Sequence, residues 1–232
     1  VELKLGQVVS AETTISGNYD AVVLATGVLP RKIELEGSNH PKVLTYLDVL
    51  DKERIVGQKV VVIGAGGIGI DVAHFLTAQT PFSGEVPDYL QGYGILDSEA
   101  ALALRKPKKR EVTVLQRSVE KIGKRLGKTT GWAHIQTLKS HGVQLLPGAT
   151  YLKIDDNGLH VRVALKKGGE PQEIVLEVDN VIVAAGQEPK RDMETSLRKA
   201  GLEVHVIGGA KEVSGLDAET AIKDGAELAV KF

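Results

Sequence analysis

Apolar residues follow one another without alternation in Lys59-Val-Val-Val-Ile63, the pattern of a strand buried on both faces. Directly after it, Gly64-Ala-Gly66-Gly67-Ile68-Gly69 breaks the run, and Ile70, Val72, Ala73 and Leu76 then recur at helical spacing. Buried strands are likewise predicted over Tyr19 to Gly27 and Val181 to Gly186, and Glu111 to Gln116 reads as a further strand. A helical pattern over Trp132 to His141 closes on Gly142. Shorter runs at Val143 to Leu146, Tyr151 to Ile154, Leu159 to Leu165 and Glu173 to Val178 predict a meander. Its hairpin turns fall at Asp156-Asn157-Gly158 and Gly168-Gly169.

The ends of the chain are patterned more weakly. Val1 to Ser10 and Thr13 to Ile15 read as short antiparallel strands, and residues 28–44, with Pro30, Gly37 and Pro41, read as a linker. Thr80 to Pro107 reads as an insertion with one helix near Ser98 to Leu104. His205 to Gly209 predicts a short strand, and Ala218 to Val230 a terminal helix. Strands ending in Ala25-Thr26-Gly27 and Ala184-Ala185-Gly186 bracket one complete βα nucleotide-binding unit, which predicts an inserted domain inside a discontinuous one.

The glycine spacing has a physical reading. Gly64 permits a tight strand-to-helix turn, Gly66 lets backbone approach a pyrophosphate, and Gly69 lets the helix pack close to the strand. The helix start offers N–H donors and a positive dipole end to the phosphates. In this strand, turn and helix context Gly-x-Gly-x-x-Gly predicts a dinucleotide site.

Composition narrows the partners. The 232 residues are 42% hydrophobic, enough for one large or two small domains. Lys and Arg number 29 against 30 Asp and Glu, so no overall field draws in nucleic acid or an anionic membrane. No apolar run approaches the roughly 20 residues needed to span a bilayer, and no signal peptide opens the chain. The absence of cysteine removes disulfides, thiolate metal sites and cluster ligation, and fits a cytoplasmic protein. The six histidines lack metal-ligand spacing, so no metal site is expected, and no Gly-x-Ser-x-Gly nucleophile turn is found.

An NAD-type unit places Asp or Glu at the end of its second strand to hold the ribose 2′-hydroxyl. Here that position holds Gln116-Arg117-Ser118. A carboxylate repels a 2′-phosphate, whereas a guanidinium and a hydroxyl bind it through charge-assisted hydrogen bonds, so NADPH is expected over NADH. Lys121, Lys124 and Arg125 follow, either as part of that phosphate site or as a solvated basic face.

The segments Tyr19 to Arg31, His40 to Leu50 and Leu126-Gly-Lys-Thr-Thr-Gly-Trp132 resemble bacterial 2,4-dienoyl-CoA reductase. Val178 to Pro189 and Leu216-Asp-Ala218 extend the resemblance over nearly the whole chain. It implies an α/β fold in which a Rossmann-like NADPH-binding domain, residues 46–177, is inserted in an incomplete FAD-binding domain, residues 1–45 and 178–232. That is the arrangement of two-dinucleotide-binding flavoproteins. It further implies a (β/α)₈ barrel N-terminal to this portion as its partner, holding FMN, a 4Fe–4S cluster and the catalytic residues, none of which carry onto this chain. Electrons in that family pass from NADPH to FAD, to the cluster, to FMN and to the dienoyl-CoA.

By the resemblance, Gly64, Gly66, Gly67, Ile68 and Gly69 cradle the pyrophosphate, while Arg117 and Ser118, beside Gln116 and Arg125, take the 2′-phosphate. Ala185, Gly186 and Gln187 lie near the nicotinamide or the flavin edge, and Thr26, Gly27, Gly208 and Gly209 belong to the FAD side. Flavoproteins of this class usually carry Gly-Asp on the last strand, but here Gly208 is followed by Gly209. With no glycine-rich turn ahead of Tyr19, FAD affinity is expected to be weak or absent, and an uncovered apolar face to favour self-association. Two other readings are a structural ADP site, as in related amine dehydrogenases, and a free-standing NADPH sensor.

Overall fold

The computed structural model describes residues 1–52, 54–77, 90–95, 97–99, 110–124, 126–127, 129–164 and 169–232. Its first elements are α1 (Ala11–Ile15), β1 (Ala21–Leu24), β2 (Val28–Pro30), β3 (Val43–Thr45) and α2 (Tyr46–Leu50). Next come β4 (Lys59–Ile63), α3 (Gly67–Thr77), β5 (Glu111–Gln116), α4 (Gly131–Ser140) and β6 (Gln144–Pro147). There follow β7 (Thr150–Asp155), β8 (Gly158–Val163), β9 (Gln172–Leu176), β10 (Asn180–Val183), β11 (Gln187–Pro189), α5 (Glu194–Lys199), β12 (Glu203–Val206) and α6 (Ala218–Ala229). Most of the expected Thr80–Pro107 insertion, the first residue of the meander's Gly168-Gly169 turn and Arg125 lie outside the described residues.

The chain forms two compact units, residues 30–186 and residues 1–29 with 187–232. In the larger, five strands run parallel in the order β3-β10-β4-β5-β6. Alternation along β4 and β5 divides the core between the two faces. Val60, Val62, Val112 and Val114 pack with Ile70, Ala73, Leu76 and Leu138 of the helices, while Val61, Ile63 and Leu115 pack with Leu159 and Val161 of an antiparallel β7-β8-β9 meander. Burying each such side chain contributes about 1.5–3 kcal/mol. The continuous apolar runs are thus explained by a sheet covered on both sides.

Val43–Thr45 and Asn180–Val183 are strands of this unit's central sheet, and the compact units divide at 29/30 and 186/187, beside the expected domain boundaries at 45/46 and 177/178. One expectation for this unit needs correction. Gln144–Pro147 pairs in parallel with β5, as the third strand of a βαβ progression, and is not the first strand of the meander. The crossover is α4, which stops at His141 and turns through Gly142 at φ +79°.

The smaller unit is built on a parallel pair, β1 with β12, whose Leu24 and Val204 pack on Leu197 of α5. Its opening differs from the expected strands: residues 1–10 form no strand, and Ala11–Ile15 is a helix. Ser10 and Thr13 form a capping box there, with the Thr13 N–H donating to Ser10 Oγ at 3.3 Å and the Ser10 N–H to Thr13 Oγ1 at 3.0 Å. Val23, Ile222 and Val230 are exposed in this unit. Among the described residues no helix is long and apolar enough to cross a membrane.

Candidate functional site

In the larger unit the chain winds from β4 outward through β5 and β6 on one side, with β10 and β3 on the other. Ligands of open α/β sheets bind beyond the C-terminal ends of the strands at such a switch point. Gly64 stands there, directly after β4. Its φ is +111°, its N–H donates to the Leu115 carbonyl at 3.0 Å, and a Cβ would lie 2.3 Å from the Ala184 carbonyl oxygen. Gly69, in the first turn of α3, approaches the same turn so closely that a Cβ would lie 1.9 Å from the Gly64 carbonyl oxygen.

Gly66 and Gly67 behave differently, since a Cβ on either would meet nothing within 4 Å. Packing therefore requires Gly64 and Gly69, whereas Gly66 and Gly67 border open space at a helix start. Ile68 anchors this turn by packing on the helix-side core. No acidic side chain stands in the first turn of α3, so its N–H groups and dipole face outward without a competing carboxylate. These are the features a pyrophosphate needs.

The second component is the turn after β5. Gln116, at the end of β5, directs its amide Nε2 at two carbonyls of the turn, Ser118 at 3.0 Å and Glu120 at 2.8 Å. Ser118 Oγ accepts from the Glu120 N–H at 3.2 Å. The turn is also held from outside, by the Gly148 N–H on the Ser118 carbonyl and the Ala149 N–H on the Gln116 carbonyl, each at 2.9 Å. Arg117 extends from it into solvent. Beneath lies Tyr151, whose phenol is pushed up to about 12 by burial, with the Arg117 charge acting in the opposite direction. Lys124 pairs with Glu120 at 2.5 Å, which assigns it to the turn's own surface.

The third component is the end of β10. The Ala184 N–H donates to the Ile63 carbonyl at 2.8 Å, and Ala185 and Gly186 follow, Gly186 with φ +112°. Arg31, which no sequence pattern links to this turn, is its neighbour. Its N–H donates to the Gly186 carbonyl at 3.1 Å, and its guanidinium carbon would lie 3.4 Å from a Cβ on Gly186. The glycine-loop residues, Gln116, Arg117, Ser118, Ala185 and Gly186 are thus brought to one edge of one sheet.

In the smaller unit Thr26, Gly27, Gly208 and Gly209 gather beyond β1 and β12. The Thr26 hydroxyl donates to the Lys190 carbonyl, and the Lys190 N–H returns to the Gly27 carbonyl at 3.0 Å, close to Gln187 at the start of β11. A Cβ on Gly209 would lie 2.8 Å from Val28 and 3.0 Å from Leu216, so only glycine fits. The Gly208 N–H, at φ +58°, donates to Asp224 Oδ2 at 3.0 Å. Asp224 also binds Lys211 at 2.8 Å, and these two contacts hold its carboxyl below the usual carboxylate range. An acidic group thus does reach this strand end, from α6. No local signal marked it, because contact across 16 residues of chain leaves no periodic trace. Among the described residues no group of acidic or histidine side chains could hold a metal ion.

A parallel sheet with a glycine turn at its switch point and a discontinuous second unit define a dinucleotide-binding flavoprotein module. The pyridine nucleotide-disulphide oxidoreductase model matches residues 2–212, and the chain belongs to that family. Membership brings FAD and NAD(P) binding with it. The chain itself contains no cysteine. A metal reductase of Desulforamulus reducens is 27% identical over 84% of this chain and 28% of its own length. A bilirubin reductase of Mediterraneibacter gnavus is 26% identical over 97% of this chain and 29% of its own. The structure of a 2-naphthoyl-CoA reductase in complex with 2-naphthoyl-CoA superposes with a TM-score of 0.76 at 25% identity, over 100% of this chain and 30% of that one. The chain therefore spans less than a third of the length of these relatives.

Proposed function

We propose that this chain binds NADPH as the electron-input portion of a multidomain flavoprotein reductase, of the kind that reduces 2,4-dienoyl-CoA. The observation that carries the reading is Arg117, exposed on a braced turn where an NAD-selective unit keeps a carboxylate. A structural ADP site has no 2′-phosphate for that guanidinium to bind. The open borders of Gly66 and Gly67 fit the pyrophosphate, and the strand-end glycines of the smaller unit fit a second dinucleotide, FAD.

When bound, NADPH would supply a hydride to the flavin and be left as NADP⁺. The chain's own residues would bind and orient it: the α3 N–H groups would hold the pyrophosphate, Arg117 would select the 2′-phosphate, and Ala185 and Gly186 border the strand end next to Gly64. Reduction of the conjugated diene of the acyl-CoA, its thioester left intact, would belong with FMN, a 4Fe–4S cluster and a barrel partner to a portion of a longer protein outside this chain. The choice of a CoA thioester is supported by the similarity to 2-naphthoyl-CoA reductase and by the motif resemblance of Leu126 to Trp132.

Calorimetric titration with NADP⁺, NAD⁺ and ADP, repeated on Arg117→Ala, tests the reading. NADP⁺ is expected to bind at least tenfold tighter than NAD⁺, about 1.4 kcal/mol, and the substitution to remove that gap. Equal binding of ADP and NADP⁺ by the unsubstituted protein would replace this function with the structural nucleotide site.

A further inference from the structure

The turn that bears Arg117 is braced from within by the side chains of Gln116 and Ser118. Gln116 ends β5 and directs its amide Nε2 at two carbonyls of its own turn, Ser118 at 3.0 Å and Glu120 at 2.8 Å. A primary amide nitrogen has two hydrogens, so both are committed. Three further hydrogen bonds close the turn: Glu120 N–H on Ser118 Oγ at 3.2 Å, Gly148 N–H on the Ser118 carbonyl at 2.9 Å and Ala149 N–H on the Gln116 carbonyl at 2.9 Å. The Ser118 carbonyl is thereby doubly satisfied, and the 118 and 120 carbonyls point toward the strand end.

A turn whose carbonyls face inward presents less negative charge to an anion at its outer side. It also holds the Arg117 backbone at a fixed place, so that less freedom is lost when the guanidinium meets a phosphate. We infer that Gln116 is a positioning residue for 2′-phosphate selectivity, acting through Arg117 and not by touching the nucleotide. The inference rests on the NADPH reading above and adds to it a reason why an amide, and no other side chain of that length, suits this position. Leucine has the size without donors. Glutamate has acceptors where donors are needed, and would set a carboxylate against two carbonyls while restoring the acidic group typical of NAD-selective units.

Gln116→Leu and Gln116→Glu are compared with the unsubstituted protein and Arg117→Ala by titration with NADP⁺, NAD⁺ and 2′-AMP, with thermal melting as the control for folding. The expected result for Gln116→Leu is a loss of fivefold or more in NADP⁺ and 2′-AMP affinity, with NAD⁺ affinity changed by less than twofold. Gln116→Glu is expected to lose more on NADP⁺, and in the double variant Gln116→Leu/Arg117→Ala the two losses are expected not to add, because one acts through the other. A leucine variant that melts normally and keeps the full NADP⁺ preference overturns the inference while leaving the NADPH reading intact. Equal loss on NAD⁺ and NADP⁺ also overturns it, by reducing Gln116 to a general structural part. Should Gln116→Leu fail to fold, Gln116→Asn, which keeps the donors on a shorter stem, carries the same comparison. If the unsubstituted protein shows no NADP⁺ preference, the NADPH reading itself fails and the inference with it.

Discussion

A Cβ added to Gly69 would stand 1.9 Å from the carbonyl oxygen of Gly64, so the first turn of α3 and the turn after β4 touch through backbone alone. A Cβ on Gly66, three residues earlier, would meet nothing within 4 Å. The two glycines should therefore fail differently. Gly69→Ala forces helix and turn apart and is expected to cost about 1–3 kcal/mol of stability, as overpacking does. Gly66→Ala is expected to melt with the unsubstituted protein yet bind NADP⁺ at least tenfold more weakly, since its methyl occupies the space the pyrophosphate needs. Denaturant melts and titration of the two variants side by side check both statements.

Asp48 closes a capping box at the start of α2, accepting from Thr45 Oγ1 at 2.7 Å and from the Thr45 N–H at 2.8 Å. The Thr45 hydroxyl is the largest reason its carboxyl is held down to about 2, with Lys52 adding a smaller pull. A carboxyl lowered on folding stabilises the protein above its unfolded value, near 3.9, and that contribution is lost as the pH falls toward about 2. Asp48→Asn is expected to cost about 1 kcal/mol at pH 7, in the range of a lost cap. The gap between the two proteins is expected to narrow below about pH 4. Urea midpoints at pH 7, 5 and 3.5 measure it.

Tyr151 gives the opposite sign at the alkaline end. Burial raises its phenol to about 12, from an ordinary value of 10.0, so the folded protein keeps a proton that the unfolded chain releases. Its contribution is complete below about pH 10 and disappears as the pH rises toward 12. Tyr151→Phe, which has no proton to lose, is expected to unfold less steeply with pH between about 10 and 11.5. Equal steepness in both proteins, followed by circular dichroism, would remove Tyr151 from the alkaline transition.

Much of this arrangement is legible in the sequence, and the parts that are not share a cause. The strands at Lys59–Ile63 and Glu111–Gln116 declare themselves because a doubly covered parallel sheet draws apolar side chains to adjacent positions, and the helix at Gly67–Thr77 because Ile70, Ala73 and Leu76 recur at helical spacing. Gly64 and Gly69 are legible for the same local reason. By contrast, α1 reads as a strand because Thr13, Thr14 and Ile15 favour one, and only the reciprocal Ser10 and Thr13 hydrogen bonds turn it into a helix. The membership of Val43–Thr45 in the larger sheet depends on β10, more than a hundred residues away, and three residues carry no period of their own. Arg31 beside Gly186 and Asp224 beside Gly208 were hidden likewise, as contacts made by tertiary structure between segments with no repeating pattern.

The strands through which the chain leaves the smaller unit and comes back to it, β2 and β11, are paired with one another. Residues 30–186 form one contiguous stretch of chain between these two strands, in the manner of a cassette. Such a piece can be exchanged whole between homologues, Gln116 and Arg117 included, without cutting the host sheet at any other place. On the NADPH reading proposed above, the residues that would set donor preference all lie in one contiguous stretch of chain, residues 30–186.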